Sequence, residues 1–107
     1  ERDNRIMEMN FGDWEMKSFD EISDPRLKEW YADYINVPAT NGESFAIQYH
    51  RVASFLDELK EKNYEKVAIF AHGGVLICAQ LYAGSIKQEE AFSALTPYGG
   101  IIQLRLD

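Results

Sequence analysis

The sequence predicts an α/β domain, and three observations carry that prediction. Residues 44–62 set Phe45, Tyr49, Val52, Phe55, Leu56 and Leu59 on one stripe at helical spacing. Lys66 to Ala71 is a short β-rich run, the pattern of a strand covered on both faces as in a parallel sheet. That run leads into "AHGGVLICAQLYAG", where a His-Gly-Gly hinge precedes a second apolar stretch closed by a glycine. Helix, strand, helix, strand in this order is α/β layering.

Each element has a local reason. "RIMEMNFGDWEM", residues 5–16, reads as a short extended piece followed by a loop with a Gly-Asp turn. "SDPRLKEWYADYI" reads as a helix: Ser23 or Asp24 serves as N-cap, Pro25 suits the first turn, and Leu27, Trp30, Tyr31 and Tyr34 share one face. "NVPATNGES" is a loop in which Asn-Gly favours a turn. The second helix is expected from about Ser44 to Lys62, with His50, Asp57 and Glu61 off its apolar stripe, which makes His50 a solvated histidine. Val75 to Tyr82 is short and apolar, hence a buried helix, with Gly84 closing it. Lys87 to Leu95 is a weaker amphipathic helix, and "GGIIQLRLD" a final strand at or near a sheet edge.

Composition narrows the function classes. A chain of 107 residues makes one small domain, and 46% apolar residues supply a core for it. A net charge of −7 argues against nucleic acid and anionic membrane as partners, because both favour basic patches. A small anionic substrate remains compatible, since a few local donors outweigh a global field. The single cysteine, Cys78, excludes an internal disulfide and a Cys-rich metal site. No stretch approaches the ~18–20 apolar residues of a membrane span and no signal peptide opens the chain, so the cytoplasm is the expected location. The opening "ERDNR" has the look of a cut rather than of a natural start.

His72 is the residue that points to chemistry. In α/β sheets ligands sit beyond the carboxyl ends of strands, where the next helix presents its free N–H groups. His72 occupies that place, and Gly73 and Gly74 let the backbone approach a ligand and permit unusual dihedrals. An imidazole beside backbone amides suits a phosphoryl oxygen. A core histidine with satisfied polar atoms, followed by glycines that merely turn the chain, fits the same spacing. Neither His72 nor His50 has cysteine or carboxylate partners at zinc-ligand spacing, so no metal and no cofactor is expected.

At this point three ordered segments resemble a known family. "AIFAHGGVL" is similar to the second histidine motif of the histidine phosphatase (phosphoglycerate mutase-like) superfamily. "RIMEMNFGDWE" resembles its Glu-x-x-aromatic-Gly-x-Trp-Glu segment, and "NGESFAIQYHRVASFL", which includes Arg51, its Gly-Glu-Ser segment and the long helix after it. Within the superfamily, "EMNFGDWE" is most similar to the alpha-ribazole phosphatase branch. The resemblance implies a three-layer α/β/α sandwich of the phosphoglycerate mutase-like type. It also implies metal-free hydrolysis of a small phosphomonoester through a phosphohistidine. Residue by residue, His72 matches the second histidine, which binds phosphate and stabilises the transferring group. Gly73 and Gly74 follow it as substrate-binding positions, Gly73 lending its amide. Glu8 matches the proton donor and acceptor; set among Met7, Met9 and Phe11, its carboxyl is expected to be partly desolvated, as a general acid requires. Glu43 and Ser44 either cap helix two, where a serine and a carboxylate are stabilising in any protein, or brace the substrate pocket. Trp14 and Glu15 are expected to fix the loop that carries Glu8. Met16 departs from the branch, which usually has glycine there.

The larger departure is that no Arg-His-Gly occurs in these residues. The nucleophile, its arginine and a second phosphate-binding arginine are expected to precede Glu1. The chain then reads as 1–107, the C-terminal part of a single histidine phosphatase domain, with a sandwich incomplete at the N-terminus. Alone it is expected to be inactive and to self-associate through the uncovered Val67–Ala71 run. The alternatives are a broad-specificity phosphatase or a phosphoglycerate mutase, or a non-catalytic phosphate-binding module that kept the fold.

Overall fold

Helices α1 (Arg26–Ala32), α2 (Phe45–Glu61) and α3 (Gly73–Tyr82) carry the fold, joined by loops that contain short 3-10 turns. The computed structural model describes residues 3–62, 64, 66–91, 100 and 103–105. These residues divide into two compact units, Met9–Gln48 and the described part of Glu1–Glu8 with Tyr49–Asp107.

In the Met9–Gln48 unit the core is aromatic. Trp14, Trp30 and Ala39 are buried, with Phe11, Ile22, Leu27, Tyr34 and Val37 packed against them. Trp30 is the centre: its ring lies 6.0 Å from Trp14 edge-on, 5.5 Å from Phe19 and 6.1 Å from Tyr34. Such pairs each add roughly 0.5–1.5 kcal/mol beyond the area they bury. Pro25 is the N-cap residue of α1, and Asp24 before it takes up the first helical donor, its Oδ1 accepting the Arg26 N–H at 2.9 Å.

In the other unit, α2 buries Val52 and Leu56 and leaves His50, Asp57 and Glu61 exposed, as its pattern requires. Helix α3 buries Val75, Ile77 and Cys78. Its C-terminus is a Schellman turn. Gly84 takes φ +75, its N–H donates to Leu81 O, and the Ser85 N–H reaches back to Gln80 O at 3.0 Å. The Tyr82 hydroxyl donates to the Asp57 carboxylate, tying α3 to α2 and pushing the phenol up to about 12.

The expected elements need five corrections. Helix α1 ends at Ala32, short of the expected Ile35, because Asp33 leaves the helical conformation (φ −154, ψ 68). Lys66–Ala71 is not a strand, and no strand forms among the described residues. A strand is held by a paired ladder and covered faces, and this run has no cover: Val67, Ile69 and Phe70 are 48%, 36% and 95% exposed. Asn4–Ile6 is a 3-10 turn rather than extended, because Asp3 caps it with Oδ1 on the Arg5 N–H. Helix α3 begins at Gly73, two residues earlier than expected. Gln88–Glu90 forms a single 3-10 turn where a longer helix is expected. The remainder of that helix, residues 92–95, lies outside the described residues, and so does most of the final strand, residues 99–107.

Candidate active site

Helix α3 opens on the glycine pair. His72 is its N-cap in an extended conformation (φ −116, ψ 166), with its carbonyl accepting the Leu76 N–H at 3.0 Å. The imidazole makes no cap hydrogen bond and the residue is exposed. Gly73 and Gly74 are the first two helical residues, so their N–H groups belong to the set that finds no partner inside a helix. Positive φ among the described glycines occurs at Gly12 and Gly84, so Gly73 and Gly74 do not adopt the unusual dihedrals expected of them.

One of those donors has a partner from far along the chain. Glu8 Oε2 accepts the Gly74 N–H at 3.2 Å. A carboxylate at a helix N-terminus is also favoured by the helix dipole. The structure therefore brings Glu8 to the first turn of α3, next to the residue that His72 caps. The apolar enclosure expected around Glu8 is absent: Glu8 is exposed, and Met7 is 57% exposed. The reason is that the segment is held by its backbone, which leaves the side chains of Met7 and Glu8 outward.

Arg51 of α2 does the holding. Its guanidinium donates to Arg5 O at 2.9 Å, to Met7 O at 2.7 Å and to Glu8 O at 3.1 Å. Arg5 is tied to the same helix, to Ser54 Oγ at 3.4 Å and Glu58 Oε2 at 3.1 Å, with its cation 5.4 Å over the Phe55 ring. Asp3 closes the group at 2.7 Å from Arg5, whose guanidinium and amide pull the Asp3 carboxyl down to about 2. Sequence reading included Arg51 in a matching segment but missed this function. The signal was present: Arg51, Ser54, Phe55 and Glu58 are spaced i, i+3, i+4, i+7 on α2, one helix face.

Glu43 and Ser44 belong to the Met9–Gln48 unit, where both act on structure. Ser44 is buried and its Oγ accepts the Ile47 N–H at 3.3 Å, a helix cap. Glu43 braces a loop: Oε1 accepts the Asn10 N–H at 2.8 Å while its own N–H donates to Asn10 O at 2.7 Å. The two loops cross at glycines. A Cβ on Gly12, which sits at φ +56, would lie 2.2 Å from Thr40 O, and one on Gly42 would lie 2.5 Å from Asn10 O.

Trp14 and Glu15 lock the same loop, Glu15 Oε1 accepting the Phe11 N–H at 2.7 Å and Trp14 donating to Asp24 Oδ2 at 3.2 Å. The Thr40 hydroxyl donates to that Asp24 oxygen too; with the Arg26 amide it holds the Asp24 carboxyl below the ordinary range. Met16 takes φ +64, the conformation a glycine adopts without cost. No group of three or more His, Cys, Asp or Glu among the described residues is placed to hold a metal ion, and no helix among them is long and apolar enough to cross a membrane.

Residues 1–107 match the family described as the histidine phosphatase superfamily (branch 1). A Hydrogenobacter thermophilus protein provisionally named phosphoserine phosphatase 2 is 28% identical over 98% of the chain and 53% of its own length. The adenosylcobalamin/alpha-ribazole phosphatase of Escherichia coli K12 is 34% identical over 66% of the chain and 37% of its own length. The crystal structure of the alpha-ribazole phosphatase from Shigella flexneri superposes with a TM-score of 0.77 at 27% identity, over 89% of this chain and 49% of that one. The chain thus spans about half the length, or less, of these proteins.

Proposed function

The chain belongs to the histidine phosphatase superfamily (branch 1), and from that premise we propose that it is the C-terminal part of a phosphomonoesterase domain acting through a phosphohistidine. The observation that carries the reading is the meeting of Glu8 with the Gly74 amide in the first turn of the helix that His72 caps. In this reading a histidine of an Arg-His-Gly segment outside these residues attacks phosphorus. The phosphoryl–oxygen bond to the alcohol breaks as the nitrogen–phosphorus bond forms. Glu8 gives its proton to the departing oxygen, so the alcohol leaves neutral. His72 and the Gly73 amide hold the phosphoryl oxygens, the Gly74 amide being taken up by Glu8, and the helix terminus offsets negative charge. Glu8, now a carboxylate, takes a proton from water as that water attacks the phosphohistidine. Inorganic phosphate and the free histidine result.

The proposed substrate is alpha-ribazole 5'-phosphate, hydrolysed to alpha-ribazole in cobalamin nucleotide-loop synthesis. The relatives with alpha-ribazole phosphatase in their names support it. A second reading, phosphoserine as substrate, is favoured by the relative that aligns over 98% of the chain. We place the reaction in the cytoplasm, with no metal, nucleic acid or membrane partner. The sheet layering of the fold is part of the proposal. The exposed Val67–Phe70 run supports it, as apolar side chains that a neighbouring strand would pair and cover. Self-association of the 107-residue chain through that run follows.

The test uses the full-length phosphatase. Turnover of alpha-ribazole 5'-phosphate well above that of phosphoserine supports the first substrate, and the reverse supports the second. Glu8→Gln keeps size and polarity but cannot deliver a proton. It is expected to lower turnover of alkyl phosphates by ~10²–10⁴ and that of nitrophenyl phosphate much less, because nitrophenol departs unaided. Equal losses on the two substrates rule out the acid.

A further inference from the structure

We infer that Arg51 is the positioning residue for Glu8, acting on the backbone that carries the carboxylate. The three carbonyls of Arg5, Met7 and Glu8 converge on two nitrogens of one guanidinium, at 2.9, 2.7 and 3.1 Å. These carbonyls belong to a turn and a loop, where no helix ladder satisfies them, so the guanidinium supplies charge-assisted donors. Only a planar fork with several fixed N–H groups spans three acceptors at these separations; an ammonium is a point donor.

The position of the carboxylate follows from the backbone and three side-chain torsions. Arg51 sets the beginning of that path at Glu8 O, and the Gly74 N–H sets its end at Glu8 Oε2, 3.2 Å away. The backbone that carries Arg51 is itself anchored, because α2 buries Val52 and Leu56 in the turn that follows it. Arg5 adds a second tether on the same α2 face through Ser54 and Glu58. Loss of Arg51 therefore frees the segment at its Glu8 end while its Arg5 end stays docked. A misplacement of about 1 Å at a reacting group is enough to cost ~10²-fold in rate.

The catalytic consequence rests on the proposed proton-donor role of Glu8; the positioning does not, and the experiment separates them. In the full-length phosphatase the Gly74 amide proton resonance reports the Glu8 contact, with Glu8→Gln giving its position when the carboxylate is absent. Arg51→Ala is expected to move the Gly74 resonance most of the way to the Glu8→Gln position, and Arg51→Lys to move it part of the way. Should Arg51→Ala fail to fold, Arg51→Lys, which keeps charge and stem, carries the test. A Gly74 resonance unmoved in a folded Arg51 variant overturns the proposal. In the full-length phosphatase, Arg51→Ala is expected to reduce turnover of alkyl phosphates ~10–10²-fold and of nitrophenyl phosphate much less, with partial recovery in Arg51→Lys. A merely structural arginine would lower both alike. If Glu8→Gln itself shows no leaving-group dependence, the proton-donor reading fails while the Gly74 arm still decides the positioning.

Discussion

Glu8 is held differently from the carboxylates of the Met9–Gln48 unit. In Met9–Gln48, Glu15, Glu43 and Asp24 accept backbone, indole and hydroxyl donors and hold loops around a buried aromatic core. In the other unit Glu8 is exposed, anchored through its main chain by Arg51, with its carboxylate on the amide of Gly74 in a helix's first turn. The first arrangement makes rigid loops. The second leaves a carboxylate exposed to solvent. Side-chain type does not separate these cases; Glu8 differs in being held at its own carbonyl by Arg51 as well as at its carboxylate by Gly74.

The largest expected break in that contrast is Gly12→Ala. The new Cβ meets Thr40 O inside van der Waals distance at a φ that alanine disfavours. The cost is on the order of 3 kcal/mol, read by denaturant unfolding. If the variant is as stable as the parent, the two loops do not cross as described. Trp14→Phe comes next: it keeps a ring in the core but loses the indole bond to Asp24 and some buried area. A loss of about 2 kcal/mol is expected by the same measurement. Met16→Gly sharpens the contrast. Relief of the left-handed φ at this exposed position is expected to stabilise the unit by about 1 kcal/mol, seen as a higher Tm.

Helices were legible because their signals are local. The α2 stripe, the Ser44 cap, the Asp24 bond to the Arg26 amide and the Gly84 terminus depend on residues within a turn or two of each other. The family motifs were legible as patterns as well, and residues 1–107 match the family they indicated. Lys66–Ala71 was misread because a strand is a property of its neighbours, and β-rich composition cannot supply a partner. The enclosure of Glu8 was misread for a related reason: adjacency to Met7, Met9 and Phe11 says nothing of which way the backbone turns them. Arg51 escaped notice because its three acceptors are carbonyls more than forty positions away, invisible in any side-chain pattern.

The central claim, that the start of α3 is a phosphate site, is tested most directly by titrating inorganic phosphate into the chain and following its amide and histidine ring resonances. The account predicts saturable changes at the Gly73 and Gly74 amides and the His72 ring, with His50 unmoved. Saturable binding that shifts other residues and leaves those three in place would contradict it.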